Sequence, residues 1–141
     1  MSIDVKYRTT ATTMGGRDGH TRSADGVLDL NLSTPKELGG PGGDGTNPEQ
    51  LFAAGYSACF LSAMRYVSKS LGLHVPANAT VAATVGLGMT AEGGLGLDVA
   101  LAISLPGLAE ADAQKLVETA HTTCPYSNAI RGNVDVRLTI A

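Results

Sequence analysis

The sequence predicts an α+β fold in which largely antiparallel sheets surround a long central helix. Segments of alternating apolar and polar residues occur near both ends of the chain, and this period-2 pattern is typical of half-buried strands. A long segment without charge between residues 49 and 65 indicates a helix that is buried on most sides. Two further alternating segments flank a glycine turn, as the strands of a β-hairpin do.

Size and composition fit one soluble domain over residues 1–141. The chain has a mass of 14.4 kDa, and 43% of its residues are hydrophobic, which excludes a wholly disordered protein. The net charge of −3, the absence of tryptophan and the lack of a dense basic run argue against nucleic acid as a partner. The N-terminus lacks the apolar segment of a secretory signal, and the longest uncharged stretch, residues 50–64, is too short to cross a bilayer. We therefore expect a cytoplasmic protein.

The first third of the chain predicts three strands. A first strand is expected over residues 3–13, and a glycine-rich loop that carries Arg17 follows it. A second strand is expected over residues 20–24, and a third over residues 28–34. The alternating apolar positions of the first and third strands are Ile3, Val5, Tyr7, Leu28, Leu30 and Leu32.

The long helix is predicted to follow the glycine-dense segment 38–45 and to end before Gly72. Two N-cap registers are open: Thr46 with Glu49 in a capping box, or Asn47 with Pro48 at the first helical position. Because this helix is uncharged over several turns, we expect it to be the central helix of a domain or of a subunit interface.

The second half of the chain predicts a hairpin, a second helix and a last strand. The hairpin comprises strands at residues 80–89 and 95–105 around a turn at 91–94. A helix is expected over residues 109–123 and a final strand over residues 134–140. Inward positions of the helix are expected to be Leu108, Ala111, Leu116 and Ala120, and outward positions Glu110, Lys115 and Glu118. His121 is expected to be a cation at the helix C-terminus or a surface residue.

The two cysteines are candidate reactive thiols, because a reducing compartment disfavours a permanent structural disulfide. Cys59 lies in the apolar part of the long helix, and its alternative role is that of a small core hydrophobe. Cys124 lies where Pro125 interrupts a helix, so its thiol can shift by several ångströms, as a resolving cysteine requires. Its alternative interpretation is a chance cysteine at a helix end.

A thiol in apolar surroundings needs a nearby cation, because burial disfavours the thiolate. Arg17, in its glycine-rich loop, is the candidate, since a guanidinium stays charged and donates several hydrogen bonds. Glu49 is the candidate that orients Arg17 through a bidentate contact. The alternatives are a solvated loop arginine and a carboxylate that caps the helix.

The distance between Glu49 and Cys59 predicts a homodimer. Ten residues of helix separate them by about 15 Å, which is too far for both to approach one arginine closely unless the Arg17 loop spans the gap. A second subunit whose uncharged helix packs antiparallel to the first would supply its own Glu49 near Cys59. We therefore expect sites at the interface of two copies.

The residues also allow other functions to be weighed against a reactive pair of thiols. A metal site would have to gather Cys59, Cys124, His20, His74 or His121, but the short spacing of zinc ligands is absent. The glycine segment 39–45 precedes a helix, as phosphate loops do, but lacks the Gly-Lys-Ser/Thr ending. A non-enzymatic binding protein or a general thiol–disulfide oxidoreductase remains the main alternative.

Two segments of the chain resemble the signature segments of the organic hydroperoxide resistance proteins in the OsmC/Ohr family. Residues 37–60 read ELGGPGGDGTNPEQLFAAGYSACF, and residues 120–135 read AHTTCPYSNAIRGNVD. Arg17 in the sequence GGRDGH matches the family as well. The resemblance covers essentially the whole chain, and the patterns NPEQLF and CPYSNA with RGN favour the hydroperoxide branch over the osmotically induced branch.

The resemblance implies a cysteine-based peroxidase that reduces organic hydroperoxides, with Cys59 as the peroxidatic cysteine and Cys124 as the resolving cysteine. It implies that Arg17 and Glu49 activate and gate the site. It further implies an intertwined homodimer and reduction by dihydrolipoyl groups on lipoylated proteins. No metal or organic cofactor is expected.

Overall fold

A computed structural model describes residues 2–141, which group into a first compact unit that ends at Pro48 and a second unit, Glu49–Ala141. Across residues 2–141, none of the helices combines the length and the apolar character that crossing a bilayer requires. The mixture of helices with small sheets confirms the α+β class.

The first unit contains a three-stranded antiparallel sheet in the order β1-β2-β3. Its strands are β1 Ala11–Met14, β2 His20–Ser23 and β3 Asp29–Asn31. Two 3-10 helical turns, Gly16–Asp18 and Lys36–Leu38, lie in its loops. The prediction of three strands is therefore confirmed, although the third strand is shorter than expected and Leu32 forms only an isolated bridge to Thr46.

The predicted first strand is wrong over residues 3–10, because the observed strand begins only at Ala11. Ile3 and Tyr7 are 73% and 77% exposed, so the alternating pattern has no buried face. A strand requires a neighbour that pairs with its backbone, and within residues 2–141 the pairing of β1 with β2 covers only Ala11 to Met14.

The second unit packs helices against a sheet of order β4-β5-β6. Its elements are α1 Pro48–Leu71, β4 Thr80–Met89, β5 Leu95–Ser104, α2 Glu110–Thr123, α3 Pro125–Ile130 and β6 Val136–Ile140. The long helix, the hairpin, the second helix and the last strand are confirmed. β5 and β6 pair in parallel because the connection through α2 and α3 returns the chain to the same end of the sheet. The short helix α3 was not predicted.

The core of the second unit lies between one face of α1, the strand β5 and the helix α2. Its fully or almost fully buried side chains include Tyr56, Phe60, Met64, Val99, Leu101, Ile103, Leu116 and Val117. On α1 the buried residues recur three or four positions apart, which is the spacing of one helical face. Burial of α1 on most sides was predicted, but Ala54, Ala58 and Ser62 on another face are exposed in the described chain.

The predicted phase of α2 needs one correction. Ala111 is exposed, and the buried positions are Ala113, Leu116, Val117 and Ala120. Because residues 111 and 113 differ by about 200° around a helix, only one of them can share the face of Leu116. The outward positions Glu110, Lys115 and Glu118 are exposed, as predicted.

Candidate active site

Helix α1 carries Cys59 on its half-buried side, next to the hydrophobic core. The helix begins at Pro48, which agrees with the register that puts proline at the first helical position. It ends at Leu71, before Gly72, whose φ of 66° is the left-handed conformation of a helix C-terminus.

Cys124 lies at the junction between α2 and α3 and is completely buried. Its backbone is extended, with φ −60° and ψ 122°, because the residue before a proline is driven out of the helical conformation. Its N–H still donates to the carbonyl oxygen of Ala120 over 2.7 Å, so Cys124 closes α2. Pro125 then opens α3, since a first helical position needs no donor.

The fold brings the two cysteines together. The Sγ atom of Cys124 donates to the Sγ atom of Cys59 over 3.5 Å, and both thiols are free. This pairing joins positions that are 65 residues apart in the chain. A disulfide bond between them would require the sulfur atoms to approach to about 2.05 Å, a movement of roughly 1.5 Å.

The surroundings of Cys59 hold its thiol in the neutral form. Burial raises the pKa of Cys59 above its ordinary value, and the adjacent Cys124 thiol raises it as well. The backbone N–H of Tyr126 also bonds to the Cys59 sulfur and lowers its pKa, but this effect is smaller than that of burial. Ionisation of Cys59 near neutral pH therefore calls for a further positive charge.

Three aromatic rings, two on α1 and one on α3, form an apolar cluster. Phe52, Tyr56 and Tyr126 lie with ring centroids 5.8 to 6.2 Å apart, in tilted or edge-to-face orientations. Gly55 makes room for the Tyr126 ring, because a Cβ atom at position 55 would lie 2.8 Å from the Tyr126 hydroxyl oxygen. The site thus combines two thiols with an apolar cluster of aromatic rings.

A buried polar chain that the sequence did not predict runs behind the thiols. The hydroxyl groups of Tyr56 and Ser127 share a hydrogen bond of 2.6 Å, and Ser127 Oγ lies 2.9 Å from His121 Nδ1. Both Tyr56 and Ser127 are fully buried. The proline after Cys124 was a usable signal for a short helix, but nothing in the local pattern indicated these partners.

The expectation that His121 is a C-terminal cation or a surface residue is wrong. Its ring is half-buried and contacts Phe60, with ring centroids 6.4 Å apart. Burial, and secondarily the positive charge of Arg131, lower the pKa of His121 below its ordinary value. The imidazole is therefore neutral at neutral pH and serves as a hydrogen-bonding partner.

Arg17 and Glu49 lie in different units of the chain. Arg17 is half-buried in the 3-10 turn of the first unit, and Glu49 is half-buried in the first turn of α1. The turn depends on its glycines: Gly15 has a φ of 80°, and a Cβ atom at Gly19 would lie 1.6 Å from the carbonyl oxygen of Met14. The glycine-rich loop is therefore a specific tight turn that presents Arg17.

Among the described residues, no three His, Cys, Asp or Glu side chains group closely enough to hold a metal ion. His20 belongs instead to the first sheet, where its ring nitrogens contact the side chains of Asn31 and Asp29.

Comparison with known proteins gives consistent results along the chain. The sequence pattern of OsmC-like proteins matches residues 40–139. The chain is 54% identical over 137 residues to an organic hydroperoxide resistance protein of Xanthomonas axonopodis pv. citri, covering 97% of this chain and 96% of that one. Crystal structures of organic hydroperoxide resistance proteins from Legionella pneumophila and Bacillus subtilis superpose with TM-scores of 0.91 and 0.86, at 49% and 41% identity. These alignments cover 98% and 96% of this chain and 99% and 98% of the respective relatives.

Proposed function

Because the chain belongs to the OsmC-like protein family, we propose that it is a cysteine-based peroxidase that reduces organic hydroperoxides to alcohols. The relatives named for organic hydroperoxide resistance support the substrate class. The single observation that carries the mechanism is the distance of 3.5 Å between the sulfur atoms of Cys59 and Cys124. Two free thiols at this distance can together lose two electrons by forming a disulfide bond.

In the first step, the Cys59 thiolate attacks the peroxide oxygen that is farther from the organic group. The O–O bond breaks, a new S–O bond forms, and the leaving alkoxide takes a proton to become the alcohol. The sulfur is oxidised by two electrons and the peroxide is reduced by two. Cys59 is left as a sulfenic acid.

In the second step, the sulfur of Cys124 attacks the sulfenic sulfur of Cys59. The S–O bond breaks, the S–S bond forms, and the hydroxyl group leaves as water with the proton of the Cys124 thiol. The short distance between the two sulfur atoms favours this intramolecular step over attack by a thiol from solution. The position of Cys124 at the junction of two helices allows the small approach that the new bond requires.

Arg17 is proposed to supply the positive charge that ionises Cys59, and Glu49 to orient it. The need for such a charge follows from the raised pKa of Cys59. An arginine suits this role because it remains charged in apolar surroundings and offers a planar fork of donors to both a thiolate and a peroxide oxygen. The tight glycine turn around Arg17 supports a defined presentation of the side chain.

The reductant is proposed to be a dihydrolipoyl group on a lipoylated protein. The peroxidase itself is proposed to be an intertwined homodimer and to act in the cytoplasm. Two thiol–disulfide exchanges with a dithiol return both cysteines to thiols and leave the dithiol as a cyclic disulfide. The partly exposed rings of Phe52 and Tyr126 favour alkyl and fatty-acid hydroperoxides over hydrogen peroxide.

The proposal is tested by the rate at which the reduced protein consumes cumene hydroperoxide with dihydrolipoamide as the electron donor. We expect turnover that far exceeds the rate with hydrogen peroxide. The competing function, general thiol–disulfide exchange, is measured in parallel as reduction of a mixed-disulfide substrate. Fast disulfide reduction without hydroperoxide consumption would reject the peroxidase and favour the oxidoreductase.

A further inference from the structure

The end of helix α2 leaves the carbonyl oxygen of His121 without a helical partner. The oxygen of residue 121 would normally accept from the N–H of residue 125, but Pro125 has no N–H and forces extended backbone at Cys124. Carbonyl groups in the last turn of a helix must therefore find donors elsewhere. This turn leads directly into Cys124, so the replacement donor lies next to the segment that carries the candidate resolving thiol.

Arg131 provides that donor. Its Nη2 atom donates to the His121 carbonyl oxygen over 2.5 Å, and its Nη1 atom donates to the Asn128 side chain over 2.5 Å. One guanidinium group thus ties the end of α2 to α3, on either side of Cys124. A positive charge at the C-terminus of α2 also interacts favourably with the helix dipole.

The buried polar chain forms a second tie across the same junction. His121, in the last turn of α2, bonds to Ser127 in the first turn of α3, and Ser127 bonds to Tyr56 on α1. Tyr56 precedes Cys59 by less than one helical turn. The contacts of Arg131 therefore stabilise a junction that is already connected to the helix that carries Cys59.

We propose that Arg131 is a positioning residue for disulfide formation, which holds the α2–α3 junction so that the Cys124 sulfur stays within reach of the Cys59 sulfur. The catalytic relevance of this role rests on the proposed function, but the geometric role does not. Arg131 acts on the second step, the attack of Cys124 on oxidised Cys59. It has no part in the attack on the peroxide.

The geometry accounts for an arginine at this position. The two acceptors lie on different segments, and the planar guanidinium group reaches both with separate nitrogen atoms. A lysine ammonium keeps the charge but has a single nitrogen atom. Arg131→Lys should therefore recover part of the function that Arg131→Met loses.

The test compares Arg131→Met with Arg137→Met. Arg137 is a matched control because its guanidinium also makes two hydrogen bonds, both to the Asp98 carboxylate, and because these join strands β5 and β6 and not the α2–α3 junction. The first measurement is the equilibrium between the Cys59–Cys124 disulfide and dithiothreitol, without peroxide. We expect Arg131→Met to weaken the disulfide by about tenfold, since a charge-assisted hydrogen bond is lost, and Arg137→Met to change it by less than about twofold.

The second measurement follows a single turnover with excess cumene hydroperoxide. Arg131→Met should oxidise Cys59 at the rate of the parent protein but form more sulfinic acid and less disulfide, because Cys124 arrives more slowly. Circular dichroism checks the fold of each variant, and Arg131→Lys replaces Arg131→Met if the latter does not fold. An unchanged dithiothreitol equilibrium in a folded Arg131 variant overturns the proposal. A weakened equilibrium in a protein that consumes no hydroperoxide supports the positioning role and rejects the peroxidase.

Discussion

The Cys124 sulfur lies 3.5 Å from the Cys59 sulfur and donates a hydrogen bond to it. Cys59 lies on α1 and Cys124 at the junction between α2 and α3, and each thiol is partly or fully shielded from solvent. This relationship makes an internal disulfide the expected product of oxidation.

One equivalent of cumene hydroperoxide should link Cys59 and Cys124. Mass spectrometry of the digested, alkylated protein should show the linked peptides and a loss of two hydrogen atoms. Cys59→Ser should abolish turnover, because it removes the attacking sulfur. Cys124→Ser should permit one turnover and then accumulate oxidised Cys59. Steady turnover by the Cys59→Ser protein would reject the assignment of roles.

Replacement of Arg17 should make Cys59 harder to ionise. The pKa of Cys59 is already raised by burial, so loss of the cation that is proposed to ionise this thiol should shift its ionisation to still higher pH. The rate of iodoacetamide alkylation against pH, measured in a Cys124→Ser background, reports the thiolate fraction. We expect Arg17→Met to move the rise in rate to higher pH, whereas Arg22→Met, on a neighbouring strand of the same unit, should leave it in place. Identical profiles for both variants would remove Arg17 from the mechanism.

His20 and His121 should titrate on opposite sides of the ordinary histidine value. The hydrogen bond to Asn31, followed by the contact with Asp29, raises the pKa of His20, whereas burial lowers that of His121. NMR titration of the ring protons, assigned with His20→Gln and His121→Gln, checks this order.

The two histidines therefore affect stability with opposite signs. Below an unfolded pKa of about 6.5, the unfolded state binds more protons at His121 than the folded state does, so this residue lowers stability as pH falls. His20 stabilises the folded state below that pH, and its contribution is lost as pH rises through its raised folded pKa. Urea unfolding at several pH values should show that the free energy of unfolding falls less at acidic pH for His121→Gln than for the parent protein.

Ser127→Ala should destabilise the second unit by about 1–3 kcal/mol, because it leaves the buried Tyr56 hydroxyl without its observed partner. Ser70→Ala is the control, since the exposed Ser70 hydroxyl bonds only to a carbonyl oxygen of its own helix. It should change stability by less than about 0.5 kcal/mol. Adding Tyr56→Phe to Ser127→Ala should cost less than the sum of the two single changes. Strict additivity in urea unfolding would show that the two hydroxyl groups are not coupled.

The protein should form a homodimer. The exposed alternating residues near the N-terminus and the exposed small residues Ala54, Ala58 and Ser62 on the uncharged helix support an interface with a second copy. Size-exclusion chromatography with light scattering should give twice the chain mass of 14.4 kDa. A monomer at micromolar concentration would contradict both the dimer and the expectation of interfacial sites.

Much of the fold was predictable from local patterns. Pro48 and Gly72 mark the ends of α1 because each has a conformational preference that does not depend on the rest of the protein. The β4–β5 hairpin was equally clear from period-2 alternation around a glycine turn. The pattern at residues 3–8 is just as regular, yet it forms no strand in the described chain. Alternation shows only that a segment is able to pair, and a strand also needs a neighbouring strand to pair with.

The sequence by itself identified the candidate reactive residues: two cysteines, one in an apolar helix and one before a proline. Only the tertiary structure decided that their sulfur atoms meet, that His121 is a half-buried hydrogen-bonding partner of Ser127 and that Arg131 bonds to the last turn of α2. The physical reason is the range of the interactions. Helix ends and strand alternation depend on residues a few positions apart, whereas burial, pKa shifts and sulfur–sulfur contact depend on atoms that only the packed chain brings together.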